Sequence, residues 1–385
     1  MMNIPAEFDS IRPYSPEELP QAYEELIADT DFRQAAVAMM SLPFEMIAAK
    51  MRRCKTNLEF QKTFFYDLIK QLLRKNSEGL TEDFSALTDW SRRYTFVSNH
   101  RDIVMDPALL SIALIDAQWS DTTEIAIGDN LLVYPWIRRL VRILKAFIVV
   151  RGLTGRKQLE TLNTLSRYIH FAISEKHENV WIAQRQGRAK DANDTTQESI
   201  LKMLSIAGEG TPEDRLAELN IVPLAFSYEY DPCDFLKAGE LQRRRDEADF
   251  HKAEGEDMIS MKTGIFGYKG RVHVKAAPCI NTEMKELASK YPRKTDFFPA
   301  LKRCIDKHIF SNYKLYAVNY IALDCLEDSR RFEKHYTDAE REKFEQYLRN
   351  RLDKIELPDK DEPFLSEMLL KMYANPLINY LAVKE

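Results

Sequence analysis

Five cysteines in 385 residues, an odd number with no Cys-x-x-Cys pair, leave no disulfide framework to read. Cys54, Cys233, Cys279, Cys304 and Cys325 are scattered, and so are the seven histidines. No zinc-ligand spacing results, so a reducing compartment and no metal or other cofactor are expected. An excess of cations is also missing. The formal net charge of -5 argues against the broad basic footprint that nucleic-acid binding requires. No long apolar run is free of charge either. The best candidate, 133–150, contains Arg138, Arg139, Arg142 and Lys145, too costly for a bilayer centre. The opening residues, from Met1 to Asp9, lack the basic and apolar stretches of a signal peptide. The glycines at 264, 267 and 270 are not followed by the Gly-Lys-Ser/Thr ending of a nucleotide loop. There is no internal repeat and no low-complexity tail. What is present, 45% apolar and 30% charged residues, is ordinary globular composition. The length suits one catalytic α/β domain with helical additions.

Periodicity supplies the plan. Helices are expected at 31–50 and 57–74 after a loose lead-in over 1–12, with Phe60, Phe64, Leu68 and Leu72 forming the stripe of the second. From there strands and helices alternate. Strands fall near 94–97, 124–127, 147–151, 179–184 and 221–228, with helices at 107–118, 156–174 and 194–207 between them. Such alternation predicts an α/β fold, a largely parallel central sheet flanked by helices. Residues 242–256 predict a highly charged, exposed helix, and 263–275 a hairpin. Helices follow at 282–291, 297–307, 312–326, 338–354 and 364–373. The division expected is an N-terminal helical region over 1–80, a catalytic α/β domain over 81–280 and a helical extension over 281–385.

The most informative segment is Phe96-Val97-Ser98-Asn99-His100-Arg101-Asp102-Ile103-Val104-Met105-Asp106-Pro107. His100 falls at the carboxyl end of a strand, where α/β proteins place ligands. A carboxylate stands just ahead of, or within, the start of the next helix. One imidazole nitrogen is suited to accept a proton while the other donates to a carboxylate that fixes its tautomer. Asp106 and Asp102 both qualify as that carboxylate.

The segment resembles the first signature of the glycerolipid acyltransferase superfamily, an Asn-His followed after four residues by Asp. Here Asn99-His100 match and Asp106 supplies the acid, with five residues between. Arg101 matches the basic residue that often follows the histidine. Ile127-Gly128-Asp129-Asn130-Leu131-Leu132 with Phe147-Ile148-Val149-Val150-Arg151 resembles the second signature, whose arginine helps to hold an acceptor phosphate. Val180 to Arg188 resembles the third, with Gly187 and Arg188 kept and Gln186 where the family has glutamate. Arg185, Arg188 and Lys190 add a cationic cluster beside a glycine turn. Ile221-Val222-Pro223-Leu224-Ala225-Phe226-Ser227-Tyr228-Glu229-Tyr230 resembles the fourth, an apolar strand bordering the acyl side of the site.

The resemblance implies an O-acyltransferase with His100 and Asp106 as catalytic dyad and Arg101, Arg151, Arg185, Gln186, Gly187 and Arg188 on the acceptor. The co-substrate would be acyl-CoA or an acyl carrier protein. The acceptor would be glycerol 3-phosphate, a lysophosphatidate or a related lipid of phospholipid biosynthesis. The alternatives are acyl-ester hydrolysis in the same pocket and a non-catalytic membrane-associated scaffold of the same fold. No serine or cysteine takes a nucleophile's place, so no acyl-enzyme is expected. Trp136, Ile137, Leu140, Val141, Leu144 and Phe147 recur at helical spacing among four basic residues, a pattern that predicts an interfacial helix at an anionic membrane. The expected location is cytoplasmic, peripheral on the cytoplasmic face of the membrane.

Overall fold

The computed structural model describes residues 4–253 and 255–384. The first three residues of the expected lead-in, and Glu254 within the expected charged helix, lie outside the described residues. Seven strands form one sheet: β1 (Leu80–Asp83), β2 (Thr95–Ser98), β3 (Thr123–Gly128), β4 (Ala146–Val149), β5 (Asn179–Ala183), β6 (Ile221–Tyr228) and β7 (Val272–Ala276). Their spatial order is β1-β7-β6-β2-β5-β3-β4. Every pairing is parallel except β6 with β7. The α/β class and the largely parallel sheet follow as expected.

The central strands β2 and β6 are buried on both faces, which is why they read as nearly unbroken apolar runs. Successive side chains still go to opposite sides. Val97, Val180, Ile182, Ile221 and Ala225 pack with the helices Gly155–Ser174 and Lys294–Ser311. Phe96, Trp181, Val222, Leu224 and Phe226 pack with Asp67–Asn76 and Met105–Asp116. The lead-in is not loose: Phe8 and Ile11 belong to the first of these cores.

Four expectations are corrected. The span 31–50 is two helices, Thr30–Met40 and Phe44–Arg53, because Ser41 is left-handed and Pro43 disfavours helical backbone before it. The span 263–275 is no hairpin. A helix, Glu256–Phe266, ends at Gly267, and β7 pairs with β6 and β1. The charged stretch 242–256 is exposed over most of its described residues, as expected, but the helix it belongs to stops at Asp246. That helix starts at Asp234 and buries Lys237, Glu240 and Gln242. Polar residues make up much of that inward face, so apolar periodicity missed it. Finally, the basic residues of 133–150 do not face outward together. The helix Pro135–Ile143 packs Trp136, Leu140 and Ile143 into the N-terminal helices. Arg139 bonds Glu25, Arg142 bonds the carbonyls of Arg12 and Asp9, and Lys145 bonds Asp121 and Glu178. Among the described residues no helix is long and apolar enough to cross a membrane.

Candidate active site

The site lies at the carboxyl ends of the parallel strands. Asn99, just past β2, uses its side chain as a missing strand partner. Its amide donates to the Phe226 carbonyl at 2.9 Å and its oxygen accepts from the Phe226 N–H at 2.8 Å. That anchorage sends His100 out of the sheet at a fixed angle. The His100 N–H donates to Asp194 at 2.5 Å, and its ring meets the edge of Trp181 at 5.7 Å.

The chain then turns through 101–104 into the helix Met105–Asp116. Asp102 is not the partner of His100. Its Oδ1 accepts the N–H groups of Val104 and Met105 at 3.0 and 2.9 Å, capping that helix. Burial pushes its carboxyl up from the usual range. Gly264 packs so closely that a Cβ there would lie 2.0 Å from Asp102 Oδ2. The partner is Asp106. His100 Nδ1 donates to Asp106 Oδ2 at 2.9 Å, and the same oxygen accepts the N–H groups of Arg101 and Asp102 at 2.7 and 3.0 Å. Tyr228 Oη donates to Asp106 Oδ1 at 2.7 Å. Asp106 is thus fully buried with four donors, in the first turn of a helix, where negative charge is stabilised. The extra residue in the His-to-Asp spacing is absorbed by the capped turn. Tyr228, expected to border an acyl chain, instead braces the carboxylate, and burial raises its phenol well above the ordinary range.

His100, with a side chain 13% exposed, opens on a cleft lined also by Arg151, Arg185, Gln186, Gly187, Arg188 and Lys190. Arg151 passes directly over Gly128, where a Cβ would lie 2.6 Å from its Nε. Burial lowers its guanidinium from the ordinary value, against the opposing pull of Asp129 and Asp257. Arg188 is only 7% exposed, and its Nη1 is buried with no hydrogen-bond partner among the described residues. Arg185 stands 3.8 Å from Asp194, whose carboxyl burial pushes up to about 6. Lys190 pairs with Glu240 at 2.8 Å, and burial lowers its amine to about 8. Gln186 is exposed at the rim, its N–H held by Gln197, and Gly187 is left-handed at φ 71°.

Arg101 is the exception among the expected acceptor residues. Its guanidinium is buried and donates to Asp231 at 3.1 Å, away from the cleft. Adjacent residues leave a strand end in different directions, so proximity in sequence to His100 was a poor guide. Asp194, Tyr228, Asp231, Lys237, Glu240, Arg244 and Lys252 were not foreseen as site residues. For Tyr228 a signal existed, its place in the strand of the fourth signature; for the others sequence offers none. Nor did spacing foretell that Glu283, Cys304 and His308 each bring a ligand-type atom within 4.8 Å of the others.

Beside the charged cleft lies an apolar pocket. Ile103 and Leu131 line both spaces. Phe65, Ile69, Ala108, Ile112, Ile127 and Val141 continue it, and Gln61 lies on its wall. Gln61 is bonded to Thr122 and to the Leu144 carbonyl, next to the amino end of β3. Ile125 and Ile127 of β3 line it too, so the pocket runs alongside that strand.

A family profile described as Acyltransferase matches residues 75–212, a little over a third of the chain and the part that holds His100, Asp106, Arg151, Gln186 and Arg188. This segment is an acyltransferase-family region. The sequence signatures resemble those of the glycerolipid acyltransferases, and the first three fall inside the matched residues. No curated protein matches the chain by sequence. A solved structure, the 1-acyl-sn-glycerophosphate (LPA) acyltransferase of Thermotoga maritima, is similar over 76% of this chain and 97% of its own, with 10% identity and a TM-score of 0.36. That likeness is too distant to transfer any residue's role.

Proposed function

We propose that the protein transfers a fatty acyl group from a thioester, acyl-CoA or acyl carrier protein, to a hydroxyl of glycerol 3-phosphate, a lysophosphatidate or a related anionic lipid. The observation that carries this reading is the meeting of three parts. The His100–Asp106 pair, two arginines with no carboxylate partner among the described residues and an apolar pocket fit for an alkyl chain converge within one cleft system.

With Nδ1 committed to Asp106, Nε2 is the nitrogen that takes the acceptor's proton. The hydroxyl oxygen attacks the thioester carbonyl, the C–S bond breaks, and Nε2 returns the proton to the departing thiolate. Base catalysis of this kind contributes about 10²–10⁴ in rate. Arg151 and Arg188 hold the acceptor's anionic group, with Arg185 nearby, since guanidinium forks suit phosphate oxygens. The acyl chain enters past Ile103 and Leu131. Exposed Val37, Met39 and Met46 on the N-terminal helices, with Val133 and Tyr134, give the peripheral membrane contact in place of the helix Pro135–Ile143. The cytoplasmic face is the side where both donors occur in solution.

The test is free-thiol release from long-chain acyl-CoA with and without glycerol 3-phosphate and lysophosphatidate. Acceptor-dependent release that His100→Ala abolishes, with circular dichroism unchanged, is expected. Release that ignores the acceptor would mean hydrolysis, and none with any donor or acceptor would mean a scaffold. Normal turnover in folded His100→Ala would refute the dyad.

A further inference from the structure

We propose that Lys237 is a positioning residue for the dyad, acting through the single peptide that joins Arg101 to Asp102. That peptide is bonded at both ends. Its carbonyl, belonging to Arg101, accepts from Lys237 Nζ at 2.9 Å. Its N–H, belonging to Asp102, donates to Asp106 Oδ2 at 3.0 Å. The same Oδ2 accepts from His100 Nδ1. Because a peptide group is planar and rigid, a cation fixed on its oxygen also fixes where its N–H points. The ammonium polarises the peptide as well, and so strengthens the N–H as a donor to Asp106.

Lys237 is built to stay in place. It is 2% exposed and bonded to Asp231 Oδ2 at 2.5 Å, and Asp231 also receives the Arg101 guanidinium. Burial alone would raise the Asp231 carboxyl, yet Lys237 and Arg101 together hold it down at about 2. A buried ammonium is costly unless its hydrogen bonds are made. One of those bonds is spent on the peptide behind the catalytic turn. Lys237 lies on the helix Asp234–Asp246, beyond the segment that the acyltransferase profile covers, and no signature marks it.

The inference rests on His100 acting as base, and its test keeps the two apart. Lys237→Met is compared with the parent in the full chain by thiol release from long-chain acyl-CoA to lysophosphatidate. Hydrogen–deuterium exchange of the peptide covering 99–106 is measured alongside. Expected is a fall in kcat of about 10²-fold with KM unchanged, as for a misplaced catalytic group. The acidic limb of kcat should move to higher pH, since losing a nearby cation favours the imidazolium. The charged groups around the pair are Asp106, Asp102, Asp194, Asp231, Arg101, Arg151, Arg185, Arg188, Lys190 and Lys269, and all of them remain in the variant. Exchange should quicken at 101–102 and not across the molecule. Lys237→Gln, which keeps a donor without the charge, should recover part of kcat, and it carries the test if the methionine variant does not fold. The double variant Asp231→Asn/Lys237→Met should stay slow. Unchanged kcat and unchanged local exchange in Lys237→Met would overturn the role, and so would full recovery in the double variant, which marks a mere ion pair. Exchange needs no substrate, so it decides even if the acceptor is a different lipid. If His100→Ala keeps turnover, the dyad falls and Lys237 with it; if His100→Ala is dead and Lys237→Met normal, only the positioning role falls.

Discussion

Asp102 and Asp106 sit four residues apart and do different work. Asp102 spends one oxygen on two backbone amides at a helix start, while Asp106 spends both on the turn, on Tyr228 and on His100. Asparagine at 102 still caps, because its oxygen accepts the same amides. Asparagine at 106 removes the charge that stabilises an imidazolium and risks the wrong tautomer. Asp106→Asn should therefore lower kcat by about 10²–10⁴ with the melting temperature little changed, whereas Asp102→Asn should leave kcat close to the parent. Steady-state kinetics with thermal melts on both variants checks this, and the reverse ranking would reassign the partner. Sequence alone left the two carboxylates open, because both stand on the right side of His100 and only the path of the turn separates them. The same local path hides Arg101, whose position beside His100 suggested the cleft and whose guanidinium goes to Asp231.

At the scale of elements, the apolar pocket is a joint product of the helix Met105–Asp116 and a π-helical segment, Gln61–Tyr66. Val104, Ala108, Ser111, Ile112 and Ile115 present one helical face to it, and Gln61, Phe65 and Tyr66 line it from the π segment. A π turn shifts the register of side chains within an otherwise α-helical run. Ala108→Phe should fill part of this space. If it displaces about four methylenes, the loss is about 3 kcal/mol, over a hundredfold in kcat/KM. Long-chain donors should suffer that loss and short-chain donors should not. A series of acyl-CoA chain lengths measures it, and equal losses at every length would remove the pocket from the acyl path. A helix over 57–74 was legible from its phenylalanine stripe, but the π turn was not, since apolar spacing barely changes across it. Strand β1 was equally hidden, because Leu-Thr-Glu-Asp is short, polar and half exposed at the sheet's edge.

For the whole molecule, the link that matters runs from the C-terminal helices to the loop after β6. Asp234, fully buried, is bonded by Arg351, by Tyr347 at 2.7 Å and by Tyr373 at 2.6 Å. Those partners come from Asp338–Asp353 and Glu362–Ala382. Three residues earlier, Asp231 holds Arg101 and Lys237. Arg351→Met leaves the Asp234 carboxylate without its cation and should cost about 3–5 kcal/mol, read by urea unfolding. Asp234→Asn/Arg351→Met should regain much of it. A single-variant loss that disappears within error would show the pair to be dispensable. The sheet and its alternation were legible because buried parallel strands announce themselves in apolar runs. The long charged helix was not, because its inward face is satisfied by ion pairs that no apolar pattern records.

Phe226, Tyr228, Asp231 and Lys237 grip the turn after β2 from 122 to 136 residues further along the chain. A nascent copy that has emerged only as far as its last family signature carries every recognisable motif, Phe226 and Tyr228 included, yet it still lacks Asp231 and Lys237 behind the turn. Under the proposed activity, the complete turn therefore waits for residues made after every recognisable motif.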